Sequence, residues 1–429
     1  MRQRRRLDGR QSVDDVATRV ALLMWPRLLP TEIGQEARLL LCGRALRAFG
    51  DGFVSLLLPV YLKLLGFNDL AVGILTAATL AGSAALTLLV GFRARRYGHR
   101  LLLLGSTLLM IGTGMGFALE TRFWPLLVVG FLGTLNPSSG DVSLFLPLEQ
   151  ALLAQSATER SRTPLFVAYS LTGSLVAALG ALAAGLPDLL RGIFPMGLLQ
   201  AVQAMFALYA LLGFASYLLY RRLPQHAAPR RTGAAPPLGP SRRFVMRLAA
   251  LFSLDAFGGG FIVQSLLALW LFDRFGLSLA AAGNFFFWSN LLAAASFLAA
   301  TPLSRRIGLV NTMVWTHLPS NLFLILVPFA PSLAPALALL LMRSALSSMD
   351  VPTRTSYIMA VVTPDERAAA ASVTSVPRSL AAAASPVAAG WMLGLSSFGW
   401  PLVAAGALKV IYDLLLLASF RHRRPPEEM

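Results

Sequence analysis

Charged residues are scarce in this chain of 429 residues. Asp, Glu, Lys and Arg together make up only 13% of it, about half of the roughly 25% that soluble globular domains carry. Lysine occurs only at Lys63 and Lys409, and Cys42 is the single cysteine. The lack of charge argues against a soluble domain, and one cysteine cannot form an intrachain disulfide or a cysteine-based metal site.

Long hydrophobic runs take the place of the missing charge. Hydrophobic residues make up 56% of the chain, and runs near 20 residues recur from residue 39 to residue 420. A helix of about 20 apolar residues crosses the roughly 30 Å of hydrocarbon in a bilayer. The sequence therefore predicts an all-α polytopic membrane protein whose first partner is the lipid bilayer.

Charges, glycines and prolines divide these runs into about twelve spans, in two groups of six. The linker between the groups, "RRLPQHAAPRRTGAAPPLGPSRR", is rich in Arg, Pro and Gly and is too polar to insert. The predicted parts are a basic tail at 1–38, a first six-helix bundle at 39–220, a linker at 221–247, a second bundle at 248–420 and a tail at 421–429. The chain can start at Met1 or at Met24.

The arginines between the spans predict the orientation of the chain. A net charge of +17 would suggest a nucleic-acid partner in a soluble domain, but here the basic residues lie at span ends, where they contact headgroups. They concentrate in the stretch 91–100, the linker, the stretch 304–308 and the C-terminal tail. The positive-inside rule puts both termini in the cytoplasm. A preference for Ala, Leu and Arg over Lys favours a bacterial inner membrane protein.

The two halves repeat each other. "RAFGDGF" at 47–53 matches "DAFGGGF" at 255–261, and each lies in the first span of its half. Further matches in nearly the same register pair Gly66 with Gly276, Gly73 with Gly283, Arg96 with Arg306, Gly98 with Gly308, and Asp141 with Asp350. Several matches in one register indicate a duplicated bundle, and two six-helix halves around a midplane site are one design of transporters.

With these features the chain resembles the major facilitator superfamily of transporters. The stretch "GFRARRYGHR" after the second span matches the family's loop pattern at Gly91, Arg96, Gly98 and Arg100. It departs at Arg95, where the family usually has an aspartate. The fourth span also lacks the family's frequent arginine, and the fifth lacks the Gly-Pro signature of antiporters. The resemblance implies two pseudo-symmetric bundles that rock about a cavity lined by the first, fourth, seventh and tenth spans.

The repeated basic loops have two interpretations. Arginines at the cytoplasmic end of a span interact favourably with the helix dipole and with headgroups, and this alone explains them. Alternatively, they form a gate by switching partners during transport. The candidate gate comprises Gly91, Arg95, Arg96, Gly98, Arg100, Arg305, Arg306 and Gly308, with Gly91 and Gly98 allowing a tight turn, and an ion pair between Arg47 and Asp255 across the pseudo-twofold axis.

Ionisable residues within the spans need partners or a water-filled cavity. The candidates for the cavity and for proton coupling are Asp51, Asp141, Arg343, Asp350 and Arg378. Asp141 follows "NPSSG" and Asp350 precedes a proline, so each adjoins a helix break that can line a cavity. Spacings of four residues also allow intrahelical pairs of Arg47 with Asp51, Asp350 with Arg354 and Lys409 with Asp413. Glu149 and Arg354 are expected at the cytoplasmic boundary.

No motif for other chemistry is present. The sequence has no phosphate-binding loop and no His-Glu-x-x-His motif, so we expect no enzyme, no catalytic residue, no metal and no cofactor. The preferred interpretation is a monomeric secondary transporter that exports a small organic or amphiphilic compound in exchange for protons. The alternatives are proton-coupled uptake of an anionic metabolite, with Arg343 and Arg378 as carboxylate clamps, and a non-transporting receptor or scaffold.

Overall fold

Helices account for almost all of the computed structural model, which describes residues 34–138, 143–156, 159–224, 239, 241–362 and 366–420. The described residues contain no strand. The helices of the first half are α1 Gln35–Leu64, α2 Asp69–Tyr97, α3 His99–Leu119, α4 Phe123–Leu132, α5 Phe145–Ser156, α6 Glu159–Leu182, α7 Leu186–Ile193 and α8 Leu198–Tyr220. Those of the second half are α9 Arg242–Gly260, α10 Gln264–Phe275, α11 Leu279–Ile307, α12 Leu309–Leu326, α13 Leu333–Ser347, α14 Asp350–Val361, α15 Arg367–Leu395 and α16 Trp400–Phe420.

These helices make twelve passes within the described part of the chain, six in each half. In the second half, two passes are interrupted: α9 and α10 form one, and α13 and α14 form the other. In the first half, α4 and α5 form one interrupted pass. Ten helical segments among the described residues are long and apolar enough to span a membrane. The predicted all-helical, two-bundle membrane fold is confirmed.

The interruptions coincide with the helix breakers in the sequence. In the tenth pass α13 ends at Ser347 and α14 begins at Asp350, so Pro352 falls in the first turn, where its missing N–H leaves no bond unmade. In the fourth pass α4 ends at Leu132 and α5 begins only at Phe145. The helix break expected at "NPSSG" is confirmed, because residues 133–138 are not helical.

The sequence repeat has a backbone counterpart in the turns. Gly66 and Gly276 follow the first pass of each half with φ of 85° and 62°. Gly98 and Gly308 separate the second and third passes with φ of 72° and 87°. A side chain is strained at such positive φ, which explains why glycine recurs at these positions. Gly91 lies inside α2, so its predicted place in the turn is wrong.

The two halves meet near one end of the molecule, which we call the first-loop face: the end with residues 65–68 and 276–278. Gln264 donates a hydrogen bond to Ser55 at 3.0 Å, and Ser265 N–H donates to the Pro137 carbonyl at 3.0 Å. Lys63 lies 3.7 Å from Asp273 of the other half. The opposite end, where α1 begins and where Gly98 and Gly308 turn the chain, is the terminal face.

Glycines allow the closest approaches between the halves. A Cβ on Gly73 of α2 would clash with the Pro386 carbonyl oxygen of α15, and one on Gly283 of α11 would lie 2.6 Å from the Ala181 carbonyl oxygen of α6. Gly73 and Gly283 are repeat equivalents. The same kind of contact therefore occurs twice in the interface: a glycine of one half packs against the backbone of the other half.

Candidate functional site: two buried ion clusters

Four passes of the first half converge on a buried carboxylate. We call Arg47, Glu149, Tyr169 and Tyr220 the Glu149 cluster; they come from α1, α5, α6 and α8. The Arg47 guanidinium forms an ion pair with Glu149, and both side chains are at most 2% exposed. Tyr169 donates to Glu149 Oε2 at 2.5 Å, and Tyr220 donates to Oε1. One carboxylate thus binds side chains from three other helices.

Arg47 is also held by its surroundings. Its Nε donates to the Tyr220 hydroxyl at 3.4 Å, and its guanidinium lies 4.1 Å from the ring centroid of Phe145. A desolvated cation over an aromatic face gains about 2 kcal/mol. The Glu149 cluster is therefore fully paired, and it fixes how four passes pack rather than offering a free charge to a ligand.

The second half contains a larger set of buried charges. We call Asp255, Lys409, Arg354 and Asp350, together with His317, Asp413 and Asn321, the Asp255 cluster. Lys409 donates to Asp255 Oδ1 at 2.5 Å, and Arg354 Nη1 lies 3.4 Å from Asp255 Oδ2. Arg354 also pairs with Asp350 one helical turn before it, which confirms that predicted pair. Arg354 thereby bridges Asp255 of α9 to Asp350 at the start of α14.

A histidine–aspartate pair forms the far side of this cluster. His317 Nδ1 lies 2.8 Å from Asp413 Oδ1, and the Asn321 amide donates to Asp413 Oδ2 at 2.9 Å. The other ring nitrogen, His317 Nε2, is 3.9 Å from Asp255 Oδ1. Asp413 is 0% exposed. The pair lies between α12 and α16, and the Nε2 contact joins it to Asp255.

Two further arginines lie beside the cluster. Arg343 is on α13 and Arg378 is on α15. Both guanidinium groups interact electrostatically with the carboxylates of Asp255 and Asp350. Arg343 Nε has no hydrogen-bond partner among the described residues, and Arg378 is exposed. Neither forms an ion pair within the part of the chain that the structure describes. These two guanidinium groups are the cations left over when the acids of the cluster have been paired.

The structure does not bring Arg47 and Asp255 together. Each is held inside its own half, Arg47 by Glu149 and Asp255 by Lys409 and Arg354. The predicted pairs along one helix, Arg47 with Asp51 and Lys409 with Asp413, are replaced by pairs between helices. Such a pair joins two helices as well as neutralising charge, whereas an i, i+4 pair does only the second.

Other candidate residues fall in different places. Asp51 is 8% exposed and has Arg47 and Arg44 as its neighbouring charges, without an ion pair among the described residues. Glu149 and Arg354 are buried within the protein, and their place at the cytoplasmic boundary stays a prediction. Asp141 lies outside the described residues, as do the side chains of Arg95 and Arg96, whose backbone belongs to the end of α2.

The arginines in the basic loops of the terminal face differ in their contacts. Arg100 donates to the Arg221 carbonyl at 2.6 Å, which ties the start of α3 to the end of α8. Arg305 and Arg306 occupy the last turn of α11 and are exposed.

Three residues of the two clusters were not predicted from the sequence: Tyr169, Tyr220 and Asn321. A buried tyrosine or asparagine carries no signal of its hydrogen-bond partner in a single sequence.

Known proteins share this architecture. The nucleoside transporter NupG superimposes with a TM-score of 0.69 at 13% identity, covering 91% of this chain and 100% of that one. The human organic anion transporter MFSD10 gives a TM-score of 0.64 at 18% identity, covering 89% and 99%. A D-xylose–proton symporter gives 0.70 at 15% identity, covering 92% and 98%. At these identities the likeness shows the fold.

Sequence comparison agrees with the structural likeness. The uncharacterized membrane protein YJR124C of Saccharomyces cerevisiae is 24% identical over 423 residues, covering 90% of this chain and 94% of that protein. A family model described as Major Facilitator Superfamily matches residues 40–343, which is more than half of the chain. With two six-pass halves and a duplicated glycine interface, this chain belongs to the Major Facilitator Superfamily.

Proposed function

We propose that the protein is a proton-coupled secondary transporter that carries a small organic anion across the membrane by alternating access. The supporting observation is the unpaired positive charge beside the Asp255 cluster. Arg343 and Arg378 have no ion-pair partner among the described residues, while the acids near them are already bound to Arg354 and Lys409. A guanidinium facing acyl chains is costly, so we propose that these two face the space between the halves.

An arginine is well suited to this role because its planar guanidinium binds a carboxylate or phosphate through two parallel hydrogen bonds. Arg343 and Arg378 lie on α13 and α15 of the same half. An anion bound between them would approach Asp350 and Arg354 at the helix break. Asp350, Asp141 and Asp51 remain the proposed carboxylates for proton coupling, since a carboxyl facing a cavity can be neutralised when it binds a proton.

The proposed cycle follows from the interface. The halves touch through glycines near the first-loop face, so the proposed cycle takes this conformation as closed at that face, with a cavity that opens toward the terminal face. Rocking would separate Gly73 and Gly283 from their partners and close the terminal face. The proposed gate there consists of the basic loops around Gly98 and Gly308. We propose that the terminal face is cytoplasmic, because it carries the basic loops.

A binding screen tests the anion assignment. We expect carboxylates or organic phosphates to raise the melting temperature of the purified full-length protein. Arg343→Gln and Arg378→Gln should each weaken the binding by about tenfold or more, because a hydrogen bond to a charged group contributes about 1.5–3 kcal/mol. The measurement is a thermal-shift titration at two pH values with a panel of aliphatic and aromatic carboxylates, organic phosphates, neutral sugars and nucleosides.

The matched control is Arg122→Gln, since Arg122 is exposed at the first-loop face and should not alter binding. Arg343→Lys keeps the charge and loses the planar fork, so an intermediate loss would identify bidentate recognition. Stabilisation by neutral amphiphiles, unchanged in both arginine variants, would contradict the anion assignment. That outcome favours the second candidate, proton-coupled export of an amphiphilic compound, for which the exposed Trp288 beside Phe287 offers an aromatic contact surface.

A further inference from the structure

We propose that a cavity between the two halves at the first-loop face binds an amphiphilic organic cation, and that this ligand holds the protein in the conformation closed at that face. We call it the first-loop cavity; its charged lining residues are Lys63, Asp188 and Asp273. Its volume is about 430 Å³, within the roughly 300–1,000 Å³ of small-molecule sites. The site is distinct from the proposed anion site at Arg343 and Arg378, and it does not depend on what the protein transports.

Both halves contribute to the wall of the first-loop cavity. The first half supplies the end of α1, with Val60 and Lys63, together with Asp188 of α7 and Leu198 at the start of α8. The second half supplies the end of α10, with Asp273, and the start of α11. In the proposed rocking motion these two parts of the wall separate. A ligand that contacts both parts therefore binds the closed conformation more tightly than the open one.

The apolar part of the ligand follows from the composition of the wall. Leu64, Leu269, Phe272 and Leu277 line the cavity beside Val60. Small-molecule sites are mostly apolar with a few placed polar groups, and burial of apolar surface drives much of their binding. The wall therefore suits a ligand with an alkyl or aryl body.

The charged part follows from the carboxylates. Asp188 and Asp273 line the cavity, and Lys63 is the one cation among its described lining residues. Lys63 Nζ donates to Asp69 at 2.7 Å and lies 3.7 Å from Asp273 Oδ2. That second distance is too long for a hydrogen bond, so Asp273 can accept one from a ligand ammonium. Arg274 follows Asp273 in the chain, but it is exposed and is not part of the wall.

Two other positive features near the cavity are already engaged. Arg191 lies 4.0 Å from Asp188 on the same helix, with both side chains about half-exposed, and such a surface pair is weak. The start of α11 also reaches the cavity, and a helix N-terminus favours anions. Ser278 caps that helix, since its hydroxyl accepts the Ala281 N–H at 3.2 Å. The two carboxylates therefore decide the sign of the ligand, and a protonated amine fits them.

Two probes that share one skeleton test the assignment, 4-phenylbutylamine and 4-phenylbutanol. We expect the amine to bind the purified full-length protein more tightly than the alcohol, measured by isothermal titration calorimetry at about pH 7.5. Asp273→Asn should weaken binding of the amine about threefold to fivefold, the effect of a partly exposed ion pair, and should leave binding of the alcohol unchanged. Lys63→Gln should strengthen binding of the amine, because it removes the cation that competes for Asp273.

Glu120→Gln is the matched control, since Glu120 ends α3 at the same face and does not line the cavity. It should change binding of neither probe. Leu277→Trp fills the cavity and should weaken binding of both. Equal binding of amine and alcohol, unchanged in Asp273→Asn, would overturn the cation assignment and indicate a groove for an acyl chain. Binding that survives Leu277→Trp would place the ligand elsewhere.

Spin labels at the first-loop face test the effect on conformation. In a Cys42→Ser background, Leu119→Cys and Phe329→Cys place one label on each half at exposed positions. Gly73→Leu disfavours the closed contact, so in this variant both conformations should be populated. We expect the amine to shorten the distance between the labels there, measured by double electron–electron resonance, and to bind Gly73→Leu more weakly than the wild type. A distance and an affinity that both stay unchanged would overturn the preference for the closed conformation. No transported substrate is needed, so failure of the proposed function would leave these results standing.

Discussion

Replacing Glu149 with alanine is expected to destabilise the first half by about 3–5 kcal/mol, among the largest effects for any single change in this protein. The substitution leaves the Arg47 guanidinium buried without its anion, and it leaves the Tyr169 and Tyr220 hydroxyls without their acceptor. The measurement is unfolding of the purified protein in mixed micelles, titrated with denaturing detergent. The destabilisation should appear in both the midpoint and the temperature of unfolding.

The double variant Arg47→Met/Glu149→Leu separates pairing from packing. It removes both charges and keeps similar volumes, so it should regain the part of the stability that Glu149→Ala loses through the unpaired Arg47 charge, but not the part lost because the Tyr169 and Tyr220 hydroxyls have no acceptor. Asp188→Ala is the control for loss of an acid in general, because Asp188 is half-exposed and lies 4.0 Å from Arg191. A Glu149→Ala protein as stable as the wild type would show that the Glu149 cluster contributes nothing to the fold.

This cluster also shows how far one sequence determines the site. Hydropathy revealed the passes, because bilayer thickness sets the length of each. The repeat predicted the turns at Gly98 and Gly308, because a positive φ restricts the residue type. The partner of Arg47 was missed because Glu149 follows a helix break in the fourth pass.

The second half demonstrates a related limit. Spacing predicted a pair of Lys409 with Asp413 along one helix, but the structure pairs Lys409 with Asp255 and Asp413 with His317. Helical spacing shows which residues can meet on one helix and gives no information about what a neighbouring helix offers. The Asp350–Arg354 pair was predicted correctly because both residues follow the helix break and lie on one short helix. Local pairs can be read from a sequence, whereas pairs between helices depend on packing.

Leucine at Gly73 and Gly283 is expected to hold the first-loop face apart and to stop transport. Each glycine lies against a backbone carbonyl of the other half, and a Cβ would clash with that oxygen at Gly73 and come within 2.6 Å of it at Gly283. A backbone atom cannot rotate out of the way as a side chain can. Overpacking of this kind costs about 1–3 kcal/mol per site, and the cost applies only in the conformation closed at this face. The equilibrium should therefore shift by about tenfold or more per site toward the opposite conformation.

Spin labels at the terminal face measure that shift. Cys42→Ser removes the native thiol, and Leu101→Cys and Met246→Cys then place labels at exposed positions at the starts of α3 and α9, one in each half. If the halves rock as rigid bodies, opening the first-loop face must bring these labels closer. Double electron–electron resonance should thus show a shorter distance in Gly73→Leu/Gly283→Leu than in the wild type.

Gly105→Leu and Gly112→Leu are the matched controls, since a Cβ at either glycine of α3 meets no atom within 4 Å. They should change neither the label distance nor flux. An unchanged distance in Gly73→Leu/Gly283→Leu would show that the glycine contacts do not govern the equilibrium between the two conformations. A distance that shortens while flux persists would separate the rocking of the halves from the transport step. Because the two glycines are repeat equivalents, each single substitution should give a similar part of the shift, and a strongly unequal effect would argue against a symmetric rocking motion.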